Sequence, residues 1–385
     1  MQSKYDTKRI SAMPTSIFST MSKMALEYKA VNLGQGFPDF DGPKWLMEKA
    51  FEAMKQGKNQ YAPSNGTLSL RQEVQKQYKK QYDLDFDADN EITVTAGATE
   101  ALFSTINALV QDGDEVIMFE PFYDAYQADV ILAGGTPRYI TLKKPNFHFD
   151  PEDIEKAINS KTKMIIVNNP HNPTGKVFSI DELKILADIA IKNDLLVISD
   201  EVYEFLTFDG IKHTPMITLP GMKERTISIS STGKTFGMTG WKVGFAIADA
   251  HLSAAVQKVH QWTAFAVNTP GQIAMAYGFS RLEEYLPEFR ALYESKRDFM
   301  YNKLKGSAFT PHLSYGSYFM MVDIPPEKSM NDVECAETLV KEYGVATIPP
   351  SVFYAKSDQG QTMLRLCFAK RNETLESGVN KLLKF

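Results

Sequence analysis

Lys234 lies in the run Ser231-Thr232-Gly233-Lys234-Thr235, where a strand-like stretch from Thr226 to Ser231 gives way to a turn of small hydroxyl residues and glycine. Turns of this composition let a side chain face a cavity instead of bulk water. Taken alone, a lysine is usually a solvated surface charge. The neighbours change that reading: Ser231 stands three residues before it and Lys242 eight after, so a hydroxyl and a second cation can reach an anion held beside the amine. An amine next to an anion site is equipped to form a Schiff base with an aldehyde that carries a phosphate, as pyridoxal phosphate does. Gly233-Lys234-Thr235 also matches the end of a nucleotide-binding P-loop, but the glycine required five residues before Gly233 is Ser228, so that pattern fails.

Other polar groups gather at the ends of apolar runs. Thr95-Ala96-Gly97-Ala98-Thr99 leads from a strand through glycine into a helix, and the free amides of Ala98 and Thr99 would face an anion placed there. The plainer reading makes Thr99 a helix cap. Tyr123, in the aromatic run after Glu120-Pro121, either stacks on a flat heteroaromatic ring or packs in the core. Asn168 to Gly175 holds two Asn-Pro steps, which bias the chain away from helix and make a turn that presents Asn172; His171 reads as a turn histidine. Asp200 directly follows the apolar run Leu195 to Ser199. A carboxylate there is exposed, caps a helix, or needs a compensating partner such as a protonated pyridine nitrogen. Tyr203 follows it within reach of the same ring. Arg365 interrupts the apolar strand from Met363 to Phe368: on a wet edge it is ordinary, whereas facing a cleft it grips a carboxylate bidentately.

The elements that must position these groups follow from the apolar pattern. Strands are expected from Ile92 to Ala96, Glu115 to Phe119, Met164 to Asn168, Leu195 to Ser199, Thr226 to Ser230 and Val243 to Ala248, with helical periodicity between them, as from Thr99 to Val110 and Ile180 to Lys192. Near-continuous apolar runs joined by helices imply an α/β fold with a mostly parallel sheet covered on both faces and ligands beyond its carboxyl ends. Ahead of these, Met13, Ile17, Met21, Met24, Ala25 and Tyr28 recur at helical spacing between Ile10 and Tyr28, with Phe18 off the stripe, packed on a core or pointing into a pocket. The Gly- and Pro-rich Asn32 to Pro43 either brings backbone close to a ligand or merely connects domains, and a helix is expected from Lys44 to Gln56. The last third reads as a helix from Arg281 to Leu304, a strand from Ser317 to Val322, a helix from Asn331 to Tyr343 and a strand from Met363 to Phe368. The expected division is a large domain over residues 44–280 and a smaller α+β domain from 1–43 and 281–385.

Composition removes several function classes. A net charge of −5 gives no support to nucleic-acid binding, and no run approaches the apolar length of a membrane span. Two cysteines without a CxxC pair and six scattered histidines without HExxH spacing argue against a disulfide scaffold or a metal site. Residues 1–33 lack the uninterrupted apolar core of a signal peptide, so a cytoplasmic protein is expected.

The ordered set Gly97-Ala98-Thr99, Tyr123, Asn172-Pro173-Thr174-Gly175, Asp200 with Tyr203, Ser231 with Lys234, Lys242 and Arg365 resembles the class I/II aminotransferases of fold type I, over the whole chain. Asn32 to Phe40, Thr93 to Ala101 and Gly233 to Gly244 are similar, more narrowly, to methionine aminotransferases and the related kynurenine/glutamine aminotransferases. The resemblance implies a seven-stranded, mostly parallel sheet and a homodimer with its active site at the interface. It implies that Lys234 carries pyridoxal phosphate and moves a proton, that Asp200 pairs with the ring nitrogen, that Asn172 and Tyr203 bind the phenolate, and that Tyr123 stacks on the ring. Ala98, Thr99, Ser231 and Lys242 would hold the phosphate, with Tyr61 reaching across from the second subunit. Lys242 stands where many members carry arginine, which turns a bidentate clamp into a point contact. Arg365 would bind the substrate carboxylate, beside Gly36, Phe18, Phe37, Asn172 and Phe265, with Phe353 a further candidate wall. Gln261 to Thr269 contains no cation for a dicarboxylate donor, so the resemblance implies ping-pong transfer from methionine or an aromatic amino acid to a 2-oxo acid; Ala266 stands where kynurenine-type relatives tend to carry histidine, which favours methionine over kynurenine or glutamine. A cystathionine β-lyase-like enzyme shares every cofactor contact named, and a non-catalytic cofactor-binding sensor shares the fold.

Overall fold

The computed structural model describes residues 5–11, 13 and 16–385. The single helix expected between Ile10 and Tyr28 is instead two, Lys8–Ser11 and Ile17–Glu27, with residues 12, 14 and 15 of that expectation outside the described residues. The second helix buries Met21 and Ala25, members of the apolar stripe, and leads into β1 (Val31–Asn32).

Seven strands then build the large sheet: β2 (Ile92–Thr95), β3 (Glu115–Glu120), β4 (Thr136–Thr141), β5 (Thr162–Asn168), β6 (Leu196–Asp200), β7 (Thr226–Ser231) and β8 (Gly244–Ile247). Their order across the sheet is β2-β8-β7-β6-β5-β3-β4. Only β8 runs against its neighbours. Alternate residues face opposite layers, as the pleat requires: Ile117, Ile165 and Val197 pack with Leu183 and Leu186 of the helix Ile180–Lys192, while Met118, Ile166, Ile198 and Ile229 pack with Leu102 and Ile106 of the helix Ala98–Leu109. Burial on both faces explains why these strands read as apolar runs and not as alternations, and each such side chain contributes about 1.5–3 kcal/mol relative to exposure. A capping box between Ser179 and Glu182 starts the helix Ile180–Lys192 where the periodicity placed it.

The last third supplies β9 (Thr310–Pro311), β10 (Phe319–Asp323), β11 (Val345–Ala346) and β12 (Met363–Cys367). β12, β10 and β9 form an antiparallel sheet with Met321 opposite Arg365, and β11 pairs in parallel with β1. The strand expected from Ser317 therefore starts two residues later, at Phe319. The helix expected from Asn331 to Tyr343 is α-helical only over Asp332–Thr338 and then widens into a π turn, Leu339–Tyr343. Among the described residues, no helix is long and apolar enough to cross a membrane, and no group of three or more His, Cys, Asp or Glu is placed to hold a metal ion.

Candidate active site

The carboxyl ends of β2, β3, β5, β6 and β7 and the amino end of the reversed β8 all point the same way, and a cleft of about 360 Å³ opens there. Its far wall comes from the loop after β1, with Gly36 and Phe37, and from Phe319 and Arg365 of the small sheet. Lys234, on the single helical turn Thr232–Thr235 after β7, directs its amine into this space and donates to the Tyr318 hydroxyl at 2.5 Å and to the Gly36 carbonyl at 3.3 Å. Burial pushes its pKa down to about 8, helped by the cations Arg365 and Lys242 and opposed by Cys367 and Asp200.

One end of the cleft is built for an anion. Gly97, at φ +77°, caps the helix Ala98–Leu109 with no side-chain acceptor of its own, so the first-turn amides of Ala98 and Thr99 are free of intrahelical partners. The reading of Thr99 as the cap is thus corrected, because the left-handed turn falls at the glycine. Lys242 approaches closely enough that a Cβ at Gly97 would lie 3.2 Å from its Nζ, and Ser231 completes the lining.

The other end holds Asp200, 3% exposed, accepting from the Tyr126 hydroxyl at 2.5 Å and from the Val202 amide at 3.3 Å. Burial lifts its carboxyl to about 6 against these lowering hydrogen bonds. It is neither an exposed strand end nor a helix cap. Tyr123 and Tyr203 flank the space: Tyr123 meets Tyr126 edge-on at 5.6 Å with its pKa raised to about 12 by burial, and Tyr203 meets Tyr318 edge-on at 5.1 Å.

Arg365 is 1% exposed, because backbone hydrogen bonds with Ile348 cover the edge of β12. Its Nη2 donates to the Gly34 carbonyl at 2.9 Å and its Nη1 to Asn172 Oδ1 at 3.1 Å, while Nε has no protein partner. The guanidinium lies over Phe319, Phe18 and Phe353 at 4.1, 5.1 and 5.4 Å. Burial lowers its pKa to about 10, so it stays cationic at neutral pH and presents an unmet charge to the cleft. The backbone N–H of Asn172 donates to Asn168 Oδ1 at 2.7 Å within a turn whose two Asn-Pro bonds are both cis. His171 is a turn histidine, bonded to Thr174 and held neutral by burial, which drops its pKa to about 3.

Tyr61 and Phe265 stand apart from this constellation. Their rings meet edge-on at 5.1 Å, 80% and 45% exposed, and neither lines this chain's cleft. Conversely, Tyr126, Tyr318 and Phe319 were not singled out by spacing. The signal for Tyr126 was the aromatic run after Glu120-Pro121, whereas Tyr318 gave none, since its hydroxyl meets a carbonyl 282 residues away.

The donor set fits pyridoxal phosphate. An amide and ammonium cup suits its phosphate, a buried carboxylate with only neutral donors suits a cationic ring nitrogen, and the Lys234 amine opens into the same cleft.

Comparison with known proteins gives the family of the chain. Residues 28–382 match the family of class I and II aminotransferases. The chain is 41% identical to methionine aminotransferase of Escherichia coli over 97% of both chains, and 39% identical to human kynurenine–oxoglutarate transaminase 3 over 97% of this chain and 88% of that protein. Among solved structures, one describing a methionine aminotransferase function in an Escherichia coli protein superposes with a TM-score of 0.95, covering 99% of both chains. N-succinyldiaminopimelate aminotransferase from Mycobacterium tuberculosis also reaches 0.95, at 38% identity over 98% of this chain and 99% of that one. This protein belongs to the class I and II aminotransferases, a family that uses pyridoxal phosphate and acts on amino acids and 2-oxo acids.

Proposed function

We propose that this aminotransferase moves the amino group of methionine, or of an aromatic amino acid, to a 2-oxo acid in a two-stage ping-pong reaction. The observation that carries this reading is the pairing of one buried, partly unmet arginine with an aromatic wall: Arg365 lies against Phe18, Phe319 and Phe353, and Phe37 stands at the mouth. Such a wall accepts an apolar side chain, while the guanidinium takes the α-carboxylate through bonds of roughly 1.5–3 kcal/mol each. Similarity to methionine aminotransferase supports the same substrate class.

When bound, pyridoxal phosphate supplies an electrophilic carbon for the amino group and an electron-accepting ring. Ala98, Thr99, Ser231 and Lys242 would hold its phosphate, Asp200 its ring nitrogen, Asn172 and Tyr203 its phenolate, and Tyr123 its face. A cationic ring nitrogen there would give Asp200 the partner that its burial lacks and would keep the carboxylate ionised. Lys234, with a pKa already near 8, is available as a neutral base to take a proton from the substrate Cα and return it. The reading of a homodimer places the exposed Tyr61 and Phe265 in the partner's site.

A panel of amino acids, each incubated with the loaded enzyme and a 2-oxo acid, tests the assignment by product chromatography. Methionine and aromatic donors should yield their own 2-oxo acids and an aminated acceptor, with aspartate slower by at least about tenfold. Pyruvate and ammonia from a sulfur amino acid would indicate a lyase instead, and fast turnover of aspartate would refute the apolar-pocket reading.

A further inference from the structure

The Tyr318 hydroxyl touches Lys234 yet has no part in the chemistry described so far. Its ring is 1% exposed, fixed edge-on to Tyr203 at 5.1 Å and against Tyr293 at 6.2 Å. The hydroxyl donates to the Gly36 carbonyl at 2.5 Å, so its single proton is committed. The Lys234 contact, also 2.5 Å, therefore runs from Nζ to the phenolic oxygen, and another N–H of the same amine faces the Gly36 carbonyl at 3.3 Å. A neutral primary amine has two N–H groups and one lone pair. With both N–H groups directed to these acceptors, the lone pair is left for the open side.

We infer that Tyr318 is a further catalytic residue: its oxygen and the Gly36 carbonyl hold the free Lys234 amine by its two N–H groups and so aim its lone pair into the cleft. This rests on the reading of Lys234 as the base at the substrate Cα. Nζ gains one proton there and gives it up again, while Tyr318 keeps its own proton on Gly36. Burial raises the Tyr318 pKa well above the usual phenol value, which keeps that proton in place. The other titratable groups facing Nζ are Asp200, Arg365, Lys242, Cys367 and Tyr203.

Tyr318→Phe removes the oxygen and retains the ring. In the cofactor-free protein, trace acylation of Lys234 read by peptide mass spectrometry gives the titration midpoint of the amine. Loss of an acceptor disfavours the ammonium form, so the midpoint should fall by roughly half a pH unit or more. In the loaded enzyme, single turnover of methionine should slow by about tenfold or more, with a larger isotope effect from Cα deuteration and little change in KM. Either readout unchanged from wild type overturns the inference. Should the variant fail to fold, 3-fluorotyrosine at position 318, a weaker acceptor of similar shape, should move both readouts in the same direction, and its failure to do so counts equally against the inference. Borohydride trapping of pyridoxal phosphate separates the two levels. Label on another lysine sinks the reading of Lys234 itself, whereas label on Lys234 with unchanged readouts sinks only the role of Tyr318.

Discussion

Asp200 sits at the end of β6 with its carboxyl lifted to about 6 from 3.8, chiefly by burial. A folded-state pKa above the unfolded one means that the folded chain binds more protons between pH 3.8 and 6, so without cofactor stability falls as pH rises through that window and stays lower above it. About two pH units at roughly 1.4 kcal/mol each amount to a cost on the order of 3 kcal/mol at pH 7.5. Asp200→Asn should therefore raise the melting temperature of the cofactor-free protein at pH 7.5, with the gain vanishing below pH 4, while transamination drops by several orders of magnitude. Calorimetry at the two pH values, alongside turnover, checks both halves. Asp200 and Arg365 were legible because each ends or interrupts an apolar run, where an unpaired charge needs a reason, and Lys234 because Ser231 and Lys242 stand close enough in sequence to share an anion with it. Tyr318 and Tyr126 were not, since an aromatic beside an apolar strand reads as core and only the fold brings their hydroxyls to Lys234 and Asp200.

The anion cup depends on how closely two elements approach. β8 pairs antiparallel with both β2 and β7, placing Gly244 opposite Thr95 and Ser231. A Cβ at Gly244 would lie 2.7 Å from the Gly97 carbonyl carbon and 2.8 Å from the Ala98 nitrogen, both backbone atoms that cannot swing aside. Gly244→Ala should push the Gly97 turn outward, weakening pyridoxal phosphate binding by about tenfold or more and lowering the melting temperature by a few degrees. Titration of the cofactor-free variant measures the first effect, and unchanged affinity would show that the turn can yield. The glycine turn and the buried strands were readable as elements for the same reason, because tight approach and two-sided burial leave composition signatures. β4 left none: it is an edge strand with alternating exposure, and Pro137 and Arg138 within it look like a loop. The break in the first helix was equally hidden, since Met13, Ile17 and Met21 keep helical spacing across it.

At the scale of the whole molecule, the cleft closes only when parts distant in sequence meet. Arg365 donates to the carbonyl of Gly34, and Lys370, farther along the chain, holds the carbonyls of Gln35 and Phe37 at 3.1 and 2.8 Å. These bonds make Asn32 to Pro43 a wall of the site and not a bare connector. Tyr61, Phe265 and the 88% exposed Trp262 leave aromatic surface uncovered, in keeping with the proposed second subunit. The division at residues 43/44 and 280/281 stays a proposal of the same kind, and so does the cytoplasmic setting. All of these readings converge on one group held between Lys234 and Asp200. A crystal structure of the protein with pyridoxal phosphate tests this most directly. The account predicts continuous density from Lys234 Nζ into the cofactor and an Asp200 oxygen within about 3 Å of the ring nitrogen. Cofactor density joined to a different lysine, or a ring nitrogen facing away from Asp200, would contradict it.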